Sequence, residues 1–220
     1  MPSFTCATLI GDVVGSRSAA SRSALQRSLN RVLQRVNDRF EPVQPLEPTV
    51  GDEFQGAFDT PASATRASLM LRLHLLKEQE VDTRFGLGFG EVTVFERRVP
   101  ISQDGPGWWT ARTAIVRAAE LSQVGRTEFV RTYFESSGRA GELPRSEVVA
   151  LNAFLLCRDA LVAQMKPRSR RLLLGLIMER SQAELARQEG ISQSAVSQNL
   201  SSSGAYAIKA AELELEERLL

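Results

Sequence analysis

Thr49-Val50-Gly51-Asp52-Glu53-Phe54-Gln55-Gly56 sets an apolar lead-in, a glycine, two acids and an aromatic side by side. This is the pattern of a tight turn carrying carboxylates between two short strands. A second Gly-Asp closes the apolar run Phe4-Thr5-Cys6-Ala7-Thr8-Leu9-Ile10-Gly11-Asp12, and Val13-Val14-Gly15-Ser16-Arg17 follows it. If both runs are neighbouring strands of one sheet, Asp12 and Asp52 come to the same end of it and can share a divalent cation. The chain up to about residue 140 then reads as scaffold for that pair.

Bulk composition bounds this reading without choosing it. With 220 residues, 43% hydrophobic and 24% charged, the chain looks like an ordinary globular protein of one or two domains. A formal net charge of +1 gives no global basic field, so any nucleic-acid contact must come from a local patch. No apolar run approaches the ~18 residues of a membrane span. No basic flank precedes an apolar stretch of signal-peptide length, so a cytoplasmic location without membrane contact is expected. Cys6 and Cys157 lie in separate apolar runs and read as buried free thiols rather than a disulfide or metal framework. The single histidine, His74, sits in the helical run Leu69–Leu76 and reads as satisfied or solvent-facing. That removes Ser-His-Asp, Cys-His and histidine–zinc chemistry.

The periodicities give an order of elements. A strand at about 5–11 precedes a helix over 18–39, in which Leu25, Leu29, Val32, Leu33 and Val36 recur at threes and fours. The three prolines between Glu41 and Pro48 enforce extended chain. Strands at about 47–51 and 54–58 flank the acidic turn, and Pro61 opens a helix to about Glu80. Thr83–Val94 alternates glycine with apolar residues, as a strand does where another backbone or a ligand comes close. A turn at Asp104-Gly105-Pro106-Gly107, a helix over Trp108–Leu121 and a strand over Thr127–Phe134 complete this part. The order predicts an α+β fold, a ferredoxin-like βαββαβ sandwich.

Ile10-Gly11-Asp12-Val13-Val14-Gly15-Ser16, Val50-Gly51-Asp52-Glu53-Phe54, Arg84-Phe85-Gly86-Leu87-Gly88-Phe89-Gly90-Glu91-Val92 and the Gly105-Pro106 turn before a helix resemble, in that order, the signatures of the class III nucleotidyl cyclases. The acidic turn also resembles that of the GGDEF diguanylate cyclases, and most of the chain resembles the SatD family. The resemblance implies that Asp12 and Asp52 hold Mg²⁺ or Mn²⁺. It places a nucleotide against Gly11, Asp12, Gly15, Ser16, Arg17, Asp52, Glu53, Asp104, Trp109 and Arg112. Departures accompany it. Pro48 stands where the cyclases carry a purine-selecting lysine. Trp109 replaces the expected asparagine, and Thr113, one step from Arg112, replaces the arginine. A nucleotide or metal pocket with altered base-recognising and transition-state groups is therefore expected. Taken singly, either acid reads as a turn or capping residue, whereas the ordered pair with the glycine strand favours a site. Trp108 and Trp109 are adjacent, so one of them belongs to the core.

Beyond the loop 136–144, helices are expected over Ser146–Met165 and Pro167–Glu179. The segment Gln182–Leu200 reads as helix, turn, helix: Ala186 allows a close crossing, Gly190 supplies the turn, Ile191 and Val196 face inward, and Ser192 caps the second helix. It resembles a helix-turn-helix DNA reader. Gln193, Ser194, Ser197 and Gln198 would face base edges with Ser192, and Arg168, Arg170 and Arg171, beside Lys166, would face phosphates. A final helix from about Gly204 carries Glu212, Glu214, Glu216 and Glu217.

These features predict a cyclase-like domain over 1–140 and an all-α helix-turn-helix domain over 145–220. The expected function is that of a homodimeric transcriptional regulator, binding double-stranded DNA under control of a nucleotide and Mg²⁺. Two other readings stay open: a cyclase-like enzyme turning over a nucleoside triphosphate, and a constitutive DNA-binding protein with a structural N-terminal part.

Overall fold

A computed structural model describes residues 3–15, 21–94, 103–138 and 143–218. Six strands and eight helices occur among the described residues, in the order β1 (Ser3–Val13), α1 (Arg22–Phe40), β2 (Gln44–Pro48), β3 (Phe54–Phe58), α2 (Pro61–Gln79), β4 (Thr83–Val94), β5 (Gln103–Asp104), α3 (Pro106–Ser122) and β6 (Thr132–Ser136), followed by α4 (Arg145–Gln164), α5 (Pro167–Ile177), α6 (Gln182–Glu189), α7 (Gln193–Ser202) and α8 (Ala205–Arg218). The class is mixed α+β. The sheet runs β2-β3-β1-β4-β5 with antiparallel neighbours throughout, and β6 joins β4 in parallel.

Alternate residues of β1 feed opposite faces, as a strand's period of two requires. Ala7 and Leu9 enter the large core with Leu29, Val32, Leu33 and Val36 of α1 and Leu69, Leu71 and Leu73 of α2. Cys6 and Ile10 enter a smaller cluster with Trp108, Ala111 and Ile115 of α3. Ser21 caps α1 by accepting from the Ala24 N–H, and Thr60 caps α2 by accepting from Ser63. Helix α2 is buried almost all round, from Pro61 to Leu75, because the sheet lies on one side and α1, α5 and α8 on the others.

The glycine alternation in β4 has a backbone as its partner. A Cβ on Gly86 would meet the Ala111 carbonyl oxygen at 2.2 Å, and one on Gly88 would meet the Gly107 carbonyl oxygen at 2.4 Å. Helix α3 thus rests directly on the strand, and the Thr8 hydroxyl donates to the Gly107 carbonyl at 2.6 Å. The last strand begins later than its sequence suggests: the Thr127 hydroxyl donates to the Leu121 carbonyl at 2.8 Å and finishes α3 instead.

Both outer strands are bonded by asparagine side chains. Asn37 of α1 takes the Leu46 N–H (2.8 Å) and gives to the Leu46 carbonyl (3.1 Å) on β2. Asn152 of α4 does the same to Phe134 of β6, at 2.9 Å both ways. Nearby, buried Asp159 accepts from the Arg131 and Thr132 N–H groups (2.8 and 2.6 Å) and from Arg72 (3.1 Å), which also forks onto Asp82.

Several expectations need correction. The hydrophobic core that starts in the sheet continues without a break through Leu172, Val196, Leu200 and Ile208. Helices α6 and α7 do follow one another through Gly190, at φ 64°. They are part of this helical layer, however, and a helix-turn-helix DNA-binding domain is not shown. Cys6 is buried, with its thiol pushed up to about 12 by burial and by Asp59, but Cys157 is exposed. His74 is neither satisfied nor solvent-facing: it is buried, with both ring nitrogens lacking hydrogen-bond partners. Among the described residues, no helix is long and apolar enough to cross a membrane.

Candidate functional site

The site forms where β1 ends. Asp12 lies directly opposite Arg84 in the β1–β4 register, and Gly11 lies opposite Phe54 of β3 and Phe85 of β4. Gly11 is there for packing, since a Cβ would sit 2.3 Å from the Phe54 ring. The β2–β3 connection closes tightly, with Glu53 N–H on the Val50 carbonyl (3.2 Å) and Gly51 at φ 70°. It brings Asp52 and Glu53 beside the end of β1.

Charge is concentrated at this point. One Asp12 oxygen, Oδ2, accepts from Arg84 at 3.2 Å. The other, Oδ1, is buried and lacks a partner beyond the near approach of its own backbone N–H. Burial raises the Asp12 carboxyl above its ordinary range; Arg84 opposes this, while Asp52 and Glu53 push it further up. Glu53 is fully engaged, both oxygens taking 2.7 Å bonds from the Arg112 fork on α3. That bidentate bond raises the Arg112 guanidinium, and Asp12 adds to the effect.

From Arg112 a cleft of about 400 Å³ runs along α3, lined by Ile10, Gln55, Gln103, Trp108, Trp109 and Arg112. Trp108 belongs to the core and donates to Gln103 at 3.2 Å, whereas Trp109 is 56% exposed. Asp104 accepts from the Gly105 N–H (2.8 Å) and the Trp109 indole (2.7 Å) at this far end of the cleft.

Asp12, Asp52, Glu53 and Arg112 thus come together at one end, and Asp104 and Trp109 at the other. Gly15 lies in the turn after β1 at φ 71°, and Ser16 and Arg17 lie outside the described residues. Sequence reasoning missed Arg84, Gln55 and Gln103. Arg84 carried a signal, a lone charge heading the glycine-rich strand, but its meaning needs the cross-strand register.

The arginines expected on DNA phosphates are otherwise occupied. Arg171 forks onto Glu189 at 2.6 and 2.7 Å, and Arg168 lies 3.7 Å from the same carboxylate. Arg170 donates to the Val162 and Ala163 carbonyls, closing the end of α4. Ser192 caps α7 and also bonds Ser194. Gln193 and Gln198 are exposed and Ser197 is half-buried.

About half of the chain is similar to parts of solved nucleotidyl cyclases. A bacterial light-regulated adenylyl cyclase shares 15% identity, with a TM-score of 0.44 over 56% of this chain and 74% of that one. The adenylyl cyclase CyaB from P. aeruginosa shares 14%, with a TM-score of 0.40 over 51% and 73%. The guanylate cyclase domain of RhGC from Catenaria anguillulae, in complex with GTP, shares 18%, with a TM-score of 0.41 over 53% and 75%. No curated protein matches the sequence.

Nothing in these comparisons points to DNA binding, and the arginines meant for phosphates are held by Glu189 and by backbone carbonyls. The reading as a nucleotide-controlled transcriptional regulator of double-stranded DNA is therefore withdrawn, and a homodimer inferred from operator geometry loses that argument. A model of the SatD family matches residues 6–211, and the chain belongs to that family.

Proposed function

We propose that this protein binds a nucleoside triphosphate with a divalent cation in the cleft between α3 and the sheet, and acts on it as a nucleotidyl cyclase-like enzyme. The observation that carries this reading is the Asp12 Oδ1 atom, buried beside two further acids with no partner beyond the approach of its own backbone N–H. A buried acceptor without a donor costs about 1–3 kcal/mol, and a cation supplies the missing partner.

The donor set fits Mg²⁺ or Mn²⁺, which take one or two carboxylates and complete their shell with water and ligand phosphates. Glu53 is committed to Arg112, and no group of three or more His, Cys, Asp or Glu gathers among the described residues. Asp12 and Asp52 are therefore the carboxylates left to hold the ion. When bound, it neutralises phosphate charge and lowers the pKa of an attacking hydroxyl.

The chain's own groups supply the rest. Arg84 holds the second Asp12 oxygen and so aims the first. Arg112 is a planar fork half exposed to solvent, able to exchange Glu53 for phosphate oxygens. Ile10 and the tryptophans give the cleft apolar walls against which a base can lie.

Incubation with ATP or GTP and Mn²⁺ should yield a cyclised product by chromatography. Asp12→Asn keeps an acceptor for Arg84 and should cut turnover by at least about 100-fold, more than the 10–100-fold typical of residues behind the ligands. Because the folded protein holds this carboxyl above its ordinary range, ionised Asp12 works against folding at neutral pH. The same variant should therefore melt higher than wild type without cation and lose the cation-dependent rise with it. Absence of both product and cation-dependent nucleotide binding would sink the proposal.

A further inference from the structure

We infer that the far end of the cleft is a purine subsite, in which the base stacks on Trp109 and the Gln103 carboxamide reads its edge; this rests on the reading of the cleft as a nucleotide site. An exposed tryptophan normally turns freely in solvent. Trp109 does not, because its indole N–H is donated to Asp104 Oδ1 at 2.7 Å, and that carboxylate is itself fixed by the Gly105 N–H at 2.8 Å. The ring stands at the mouth of the cleft with its plane already set, so a stacking partner need not order it. Ile10 supplies an apolar floor between the two ends.

Gln103 is equally constrained. Trp108 offers only a donor, so the atom it meets at 3.2 Å must be the Gln103 oxygen. The Gln103 nitrogen then donates to the Gln44 side-chain oxygen. Each end of the amide has used one bond, which leaves one N–H and one lone pair for a ligand. One donor and one acceptor are what a glutamine carboxamide uses to read adenine in nucleic-acid recognition. The orientation is set from behind by a core residue and by β2, so the edge reader is in place before the ligand arrives. The two-ring purine covers more of the indole than a pyrimidine does, and stacking of one base on an aromatic side chain corresponds to about tenfold or more in affinity.

The test is calorimetry on the full chain with ATP, GTP, CTP, UTP and inorganic tripolyphosphate, each with Mg²⁺. Purine triphosphates should bind at least about tenfold tighter than tripolyphosphate and the pyrimidine triphosphates. Trp109 is on the surface, so Trp109→Ala should fold. It should weaken ATP and GTP by about tenfold or more and leave tripolyphosphate unchanged. Trp109→Phe should retain binding; ATP should quench the indole fluorescence of wild type but not of this variant, in which buried Trp108 is the one indole left. Gln103→Leu should weaken ATP and GTP and leave tripolyphosphate unchanged.

Equal binding of all five probes, indifferent to Trp109 but lost in Asp12→Asn, overturns the base subsite and leaves the cation–phosphate reading standing. No binding of any probe overturns that reading, and the subsite with it.

Discussion

His74 carries a pH dependence that its position alone decides. Burial pushes its imidazole down to about 4; Arg35, Lys77 and Arg180 add to this, while Glu78, 4.0 Å from Nδ1, opposes it. The folded state keeps the ring neutral, whereas the unfolded chain takes up a proton near 6.5. Between those values the unfolded state binds more protons, so the stability is present above about pH 6.5 and lost as pH falls toward 4. The loss between pH 7 and pH 5 is roughly 2 kcal/mol. Urea unfolding of wild type and His74→Leu at both pH values isolates it, and the wild-type midpoint should fall further than the variant's. Acids held below their ordinary range, such as Asp82, add a slope of the same sign, but one common to both proteins. The sequence showed a histidine on a helical run. It did not show that this helix is enclosed on every side.

At the scale of elements, α3 and β4 form one unit, because their backbones touch at Gly86 and Gly88. Gly88→Ala puts a methyl 2.4 Å from the Gly107 carbonyl oxygen, so the helix must lift. A cost of about 1–3 kcal/mol is expected from overpacking of this kind. Because α3 carries Arg112 and Trp109, nucleotide affinity should fall along with the melting temperature. Gly125→Ala, with nothing near its added methyl, is the matched control and should change neither. The alternation in Thr83–Val94 was legible as a close approach; whether a ligand or a helix made that approach was not, since the partner lies about twenty residues further along. The helices at 182–189 and 193–202 were legible too, with Ser192 as cap and Gly190 as turn. Their role was misread because spacing does not show Glu189 holding Arg171. Asp12 and Asp52 stood out because each follows a glycine at a strand end, whereas Arg84 depended on register.

For the molecule as a whole, the sheet and the helical layer are joined through one core and through buried charges that tie α4 to α2 and β6. Asp159 is fully buried and answers Arg72, Arg158 and two backbone N–H groups. Asp159→Ala leaves those cations uncompensated, and a loss of about 3–5 kcal/mol is expected, the range for breaking a buried pair from one side. Denaturant titration followed by far-UV circular dichroism checks it. With the core shared, sheet and helices should unfold in a single transition; two separated transitions would show that the layers are independent.

The asparagines on the two outer strands also bear on how the chain leaves the ribosome. An unbonded strand edge is an invitation to another chain. Asn37 precedes β2 in the sequence, so that border is closed as soon as the strand emerges. Asn152 follows β6 by sixteen residues beyond its last one, so the opposite border stays open until α4 has been synthesised. Nascent chains halted between those two points should present a sticky rim that α4 covers once it is made.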